Sequence, residues 1–233
     1  MKNIRMLALP ALITSFLFSC TNAPESDKAK TSEAKEVTEQ PTTALNLNVD
    51  TTGSKVEWVA TKVSGYHTGT IPVKSGDLQV NGTALSGGTI VLNMQGIVVS
   101  GPQGSKQKDN DKLLNHLRSG DFFEVDKYPE AVFQITGVQA FTGQVKDTTD
   151  PRQDEISEYK VSDPTHTISG NLTIKGVTKN VEFPARITIN GESVDALAKF
   201  NVDRKQWGIV YPGKPDDLIR DDIHLGIALK AHK

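Results

Sequence analysis

The sequence predicts an antiparallel all-β domain of about eight strands with one short helix. Three observations lead there. From Leu45 onward, apolar residues recur with a period of two in run after run. Asn81-Gly82, Lys175-Gly176 and Asn190-Gly191 sit between such runs as hairpin signals. No helix-period segment alternates with the strands, as a parallel α/β sheet would require.

The chain opens differently. Lys2 and Arg5 form a positive start, and residues 6–18 are an apolar stretch of signal-peptide length, too short to span a bilayer comfortably. It ends in Leu17-Phe18-Ser19-Cys20, which resembles a bacterial lipobox, with Phe18 bulkier than usual there and the chain's single Cys at the acylation position. Residues 1–19 are therefore expected to be a lipoprotein signal peptide and Cys20 a lipid attachment site, giving a protein anchored to a membrane by acyl chains. Residues 20–44, rich in Thr, Ser, Ala, Glu and Lys, hold almost nothing to bury and are expected to be a disordered tether. As a coil of roughly 5–6 Å times the square root of its length, it would hold the domain tens of Å from the membrane. The domain is placed at residues 45–233.

Within it, residues 167–175 and 222–230 alternate most cleanly, Ile168, Leu172 and Ile174 in the first and Ile223, Leu225 and Ile227 in the second facing one way. Weaker alternation marks residues 55–61, 89–94, 131–136, 181–183, 186–189 and 196–202 as strands. Residues 111–120 break the pattern, with Leu113, Leu114 and Leu117 on one helical face and Gly120 just past the end. A helix this short must dock its Leu face on the sheet or plug a barrel end. Residues 142–165, polar and carrying Asp150-Pro151 and Asp163-Pro164, read as a long exposed loop.

Composition excludes several classes. The chain has 233 residues, 36% hydrophobic and 23% charged, which suits one globular domain rather than a disordered polymer. One Cys rules out a disulfide scaffold or a Cys-based zinc site. A formal net charge of -2 with no basic run argues against nucleic acid as a partner.

Motifs for chemistry are missing too. Neither Gly-x-Ser-x-Gly nor His-Glu-x-x-His occurs. Gly208 to Lys214 imitates a phosphate-binding loop, but Pro215 stands where the hydroxyl belongs and Pro212 opposes a helix start. The histidines, at 67, 116, 166, 224 and 232, have no metal-ligand spacing to one another. No catalytic residue, cofactor or metal is assigned.

What remains is a closed barrel whose inward residues are apolar. The candidate lining is Val56, Trp58, Ala60, Leu92, Met94, Phe133, Ile135, Leu172, Ile174, Phe183, Ile187, Phe200, Ile223, Leu225 and Ile227. Alternation leaves open whether these fill a core or surround a cavity, although the small residues Ala60, Gly170 and Ala198 leave room for one.

Two long motifs add a resemblance. Residues 114–133, LNHLRSGDFFEVDKYPEAVF, and 170–181, GNLTIKGVTKNV, are similar to the signature of the YceI-like family of lipid- or polyisoprenoid-binding proteins. Gly65-Tyr66-His67-Thr68-Gly69 precedes them and residues 200–209 follow, so the likeness spans roughly residues 47–231. It implies an eight-stranded, lipocalin-like barrel with an apolar tunnel for a long-chain isoprenoid or fatty-acyl lipid, and no catalytic residues. Trp58, Phe133, Leu172, Ile174 and Phe200 would then line the tunnel. Leu114, Leu117, Phe122 and Phe123 would pack the helical segment on the barrel, with His116 and Arg118 nearby. The chain departs from the pattern at Lys108, Asp109 and Asp111, where many members carry an Arg-Asp pair.

The resulting expectation is a non-enzymatic lipid binder or carrier in the bacterial envelope, tethered at the periplasmic face of the outer membrane, with a homodimer as one candidate assembly. Two alternatives stand beside it. One is an enzyme acting on a lipid or quinone through His67, His116 or Asp203; the other is a filled barrel serving as an interaction or stress-response module.

Overall fold

The computed structural model describes residues 23–37, 43–143 and 158–233. The expected signal peptide, Cys20, part of the expected tether and the middle of the expected long loop lie outside the described residues.

An eight-position antiparallel ring forms the body. Its strands are β2 (Leu45–Val49), β5 (Val73–Asn81), β6 (Ala84–Asn93), β8 (Glu130–Ala140), β9 (His166–Ile174), β10 (Val177–Asn190), β11 (Ser193–Asp203) and β13 (Asp217–His232). Pairing runs round in the order β2, β5, β6, β8, β9, β10, β11, β13 and back to β2. All three hairpin signals fall at turns, between β5 and β6, β9 and β10, and β10 and β11.

β3 (Lys55–Lys62) continues β2 along the same edge of β13, since Val49 lies opposite Ala231 and Lys55 opposite Ala228. The intervening residues loop out. Asp50 closes that bulge by accepting from the Thr52 and Gly53 amides at 3.0 and 2.9 Å. β3 also pairs with β4 (Gly65–Thr70), and β4 with β7 (Val98–Gly101), so a three-stranded lip fans off the ring.

Beside that lip lies α1 (Gln107–Arg118), which starts four residues before the point the apolar periodicity indicates. Its first turn, Gln-Lys-Asp-Asn, shows a period-based reading nothing apolar. The helix stops at Ser119, whose amide and hydroxyl both donate to the His116 carbonyl. A 3₁₀ turn, Arg204–Trp207, follows β11, and a two-residue strand, β12 (Gly213–Lys214), pairs with the start of β13.

One expectation is corrected. Residues 23–37, read as tether, lie against the barrel, and Lys30–Glu33 form a strand, β1. β10 and β11 pair directly only from Ala185↔Ala198 down to Asn190↔Ser193. Beyond that point they part, and β1 enters the split, Lys30 opposite Glu182 on β10 and Lys28 bridged in parallel to Asn201 on β11. Ala29 is buried between them and joins the core. A composition poor in large side chains does not prevent ordering here, because the stabilisation comes from main-chain pairing with an edge already built.

Candidate functional site

The ring encloses a cavity of about 390 Å³. The interior is therefore not filled. All fifteen candidate lining residues lie on its wall, Met94 from a 3₁₀ turn just after β6 and the others because inward positions of a closed antiparallel sheet alternate along every strand. An apolar interior with a polar outer face is the reverse of the membrane-spanning barrel pattern.

Aromatic rings shape the middle of the cavity. Phe183 and Phe200 stack with centroids 4.0 Å apart and planes 10° from parallel, and Phe133 lies 5.7 Å from Phe183. Gly170 does not widen the cavity as its size suggests. A Cβ there would sit 2.2 Å from the Phe133 ring, so the glycine is the space that ring occupies. Ala60 and Ala198 do face the cavity.

The helical segment closes one end. Leu113, Leu117, Phe122 and Phe123 reach the cavity, while Leu114 packs on the core beside it. Tyr211 completes an edge-to-face cluster with His116, centroids 4.7 Å apart, and His116 Nε2 lies 2.9 Å from Asp121. Arg118 donates to the Gln95 carbonyl at 2.8 Å.

Several wall residues escaped the periodicity. Trp207, 1% exposed, donates from its indole to the Leu172 carbonyl at 2.9 Å; it sits in a 3₁₀ turn, where no period of two exists. Ile71, Leu78 and Leu85 come from strands interrupted by Gly or bulges. A second group is polar and gathers where the lip meets β12 and β13: Thr61, Lys62, His67, Arg204, Lys214 and Asp217.

The charges in that group are mostly spent internally. Lys62 pairs with Asp217, and this hydrogen bond, together with the amide and hydroxyl of Ser64, lowers the Asp217 carboxyl to about 2. Arg204, 4% exposed, donates to the Ile209 carbonyl at 2.6 Å and the Arg220 carbonyl at 3.2 Å, and reaches Asp221 at 3.3 Å. Burial lowers the pKa of His67, with Lys62 adding to the effect and a backbone hydrogen bond at Gly101 and the Asp217 charge opposing it, so the imidazole is held toward its neutral form.

Three buried polar atoms in this region have no hydrogen-bond partner: Trp58 Nε1, Thr61 Oγ1 and His67 Nδ1. Each such atom costs roughly 1–3 kcal/mol when left unsatisfied. Trp58 lies across β4, and only Gly69 permits it, since a Cβ there would fall 2.6 Å from the indole. His67, opposite Ala60, shares the face of β4 that carries Gly69. Thr61 has no partner on β13, which bulges between Ile219 and Ile223.

The fold and site together define a closed β-barrel built around one apolar cavity with a polar end. The YceI-like domain profile matches residues 47–231, and the chain belongs to that family. Among curated relatives, UPF0312 proteins of Pseudomonas putida strain W619 and strain GB-1 are each 35% identical over 127 residues, 51% of this chain and 53% of theirs. The chain thus spans about half the length of the curated relatives it matches. Burkholderia cenocepacia BcnA superposes with a TM-score of 0.56 at 17% identity, over 78% of this chain and 98% of that one. A polyisoprenoid binding domain from Saccharophagus degradans, implicated in plant cell wall breakdown, superposes at 0.54 and 11% identity, over 81% and 98%. At such identities the likeness establishes the fold.

Proposed function

We propose that this protein binds a long-chain isoprenoid or fatty-acyl lipid inside the barrel, non-enzymatically, and sequesters or carries it. The observation carrying this reading is the cavity itself, whose volume lies within the usual range of ligand sites and whose wall is almost wholly apolar. A fold-mate described as polyisoprenoid binding supports the same class of cargo. Enclosing some twenty carbons contributes on the order of ten kcal/mol before the costs of association. The alternative of a filled interaction barrel loses its basis with the cavity present.

The reading extends to the membrane. Cys20 is taken as an acylated anchor on the strength of the lipobox-like Leu17-Phe18-Ser19-Cys20, with the outer membrane's periplasmic face as its location. The ordered strap formed by residues 23–37 changes the expected geometry, because the Pro24 carbonyl is already held by Asn201 at 2.9 Å. Cys20 is four residues earlier, within about 14 Å at full extension. Asn201 is near the end of β11 that leads to Arg204, so this anchor would bring the polar end of the cavity toward the bilayer, not hold the barrel tens of Å away.

The test is native mass spectrometry of the full chain from a membrane-containing bacterial host, followed by organic extraction, with Cys20→Ser prepared in parallel. One lipid class released in stoichiometric amount is expected from both proteins, with only the Cys20→Ser form leaving the membrane fraction. Protein that is empty and also refuses added C20 prenyl lipids overturns the binding reading. Unchanged fractionation of the variant overturns the anchor.

A further inference from the structure

We infer that the split between β10 and β11 is the portal through which the lipid enters and leaves the barrel, with the strap as a door hinged on β10 and latched to β11 at Asn201. The inference rests on the lipid-binding reading and adds the route to the cavity.

The split lies directly over the cavity. Continuing the register beyond Ala185↔Ala198 would set Phe183 opposite Phe200 and Val181 opposite Val202, and all four residues line the cavity wall. The strands on either side are unbroken there. β9 follows β10 from Ile174↔Val177 to His166↔Ala185, and β13 follows β11 from His232↔Ser193 to Asp222↔Asp203. With β1 seated between them, the β10 and β11 main chains stand about 9–10 Å apart, twice the ordinary strand spacing. Beneath β1 the stacked Phe183 and Phe200 rings reach across the gap, and side chains change rotamer where paired main chain stays put.

What fills the split is suited to leaving it. Ala29 is the one buried residue of the strap, and Lys30, Ser32 and Glu33 are exposed. Detachment therefore bares little apolar surface of the strap itself, and its polar groups regain water. The two margins are held unequally. On β10, four residue pairs run from Lys30↔Glu182 to Glu33↔Lys179. Beyond them the Asn171 side-chain amide clasps the Lys35 main chain, donating to its carbonyl at 2.7 Å and accepting from its amide at 3.0 Å. Toward β11, main-chain pairing among the described residues is confined to Asn201, whose amide donates to the Asp27 carbonyl at 2.8 Å and whose carbonyl accepts from the Ala29 amide at 2.9 Å. Its side chain adds the bond to Pro24. The Lys28–Asp222 pair on this margin joins a lysine that is 60% exposed and contributes little. Release at Asn201 thus frees the β11 margin while the strap stays tied to β10.

The experiment follows geranylgeraniol exchange by stopped flow on the delipidated full chain carrying Cys20→Ser, with Trp58 and Trp207, both on the cavity wall, as fluorescent reporters. Lys28→Cys with Asn201→Cys, bridge partners on the strap and β11, places a disulfide across the latch, and the oxidised protein is compared with its own reduced form. Oxidation is expected to slow uptake and release by the same factor, about 10-fold or more, with Kd unchanged within about 2-fold, since a door alters the route and not its two ends. Asn201→Ala keeps the main-chain bonds but drops the hold on Pro24, and is expected to speed both steps about 3-fold. Equal rates in the oxidised and reduced forms overturn the portal and send the lipid through another opening, with lipid binding standing. Exchange in Asn201→Ala no faster than in the parent overturns the latch. A locked form that changes Kd through release alone also overturns the portal, since it reports packing around the ligand. Refusal of geranylgeraniol by the parent sinks the lipid reading and this inference with it.

Discussion

The seam between β10 and β11 is closed in two ways along its length. In one half the strands zip directly, six residue pairs running down to the Asn190-Gly191 turn. In the other they diverge, and β1, about 150 residues away in sequence, fills the gap. The first closure is local and encoded by a turn; the second requires the rest of the barrel to exist before β1 has an edge to join. Equal-looking parts of one wall should therefore differ in cooperativity, the hairpin half unfolding only with the barrel and the strap half opening by itself.

The largest effect is expected where the hairpin half is broken. Val194, 1% exposed, lies opposite Ile189 on β10 and Ala231 on β13. Val194→Asp buries a carboxylate without a partner and is expected to cost on the order of 4 kcal/mol, or to prevent folding. Urea denaturation checks this. A midpoint within a few tenths molar of the parent would contradict the view that this half belongs to the cooperative core.

A smaller effect comes from pH, through a residue the strap half buries. His224 faces outward on β13, yet is 3% exposed beneath the N-terminal segment and Tyr159. Asn201 donates to the Pro24 carbonyl at 2.9 Å and presents its Oδ1 to His224 Nδ1 at 3.0 Å, which places the ring proton on Nδ1. Burial, with Lys199 adding to it and Glu57 opposing, lowers the His224 pKa to about 4. The unfolded chain takes up this proton first as pH falls below about 6.5, so stability is intact above that pH and drains away toward pH 4. The total is roughly 3 kcal/mol, at about 1.4 per pH unit. Denaturation midpoints measured from pH 7 to 4 should fall steeply in the parent and less in His224→Gln. Parallel profiles for the two would remove His224 from the account.

The contrast between the two halves also explains what the sequence reveals. Residues 166–174 and 222–230 are legible because one face is wet and the other dry, which writes a period of two into the chain. The fifteen lining residues follow from that alternation. β1 is illegible for the opposite reason: Lys-Thr-Ser-Glu buries no side chain of its own, and its neighbour Ala29 is too small to mark a pattern. Trp207 is hidden in a 3₁₀ turn, and His67 reads as a surface residue until the lip formed by β4 is seen. Local periodicity records which way a strand faces, whereas these residues are placed by partners far along the chain.

The smallest of the three stability effects separates the halves most directly. Ala29, 5% exposed, is nearly as buried as Val194, and Ala29→Asp introduces the same unpartnered carboxylate. The strap, however, can escape the penalty by detaching, so the loss is capped at the free energy that holds it in place. Its hydrogen bonds and the exposed Lys30–Glu182 and Lys179–Glu33 pairs are largely offset by the entropy of ordering the segment. A cap of about 1–2 kcal/mol follows. Amide exchange should then quicken at residues 179–182 of β10 while residues 185–190 stay protected, and the acid-sensitive slope from His224 should flatten as the ring regains water. If Ala29→Asp instead lowers the urea midpoint as far as Val194→Asp, with exchange rising evenly along β10, the strap is a full member of the barrel and the two closures are one.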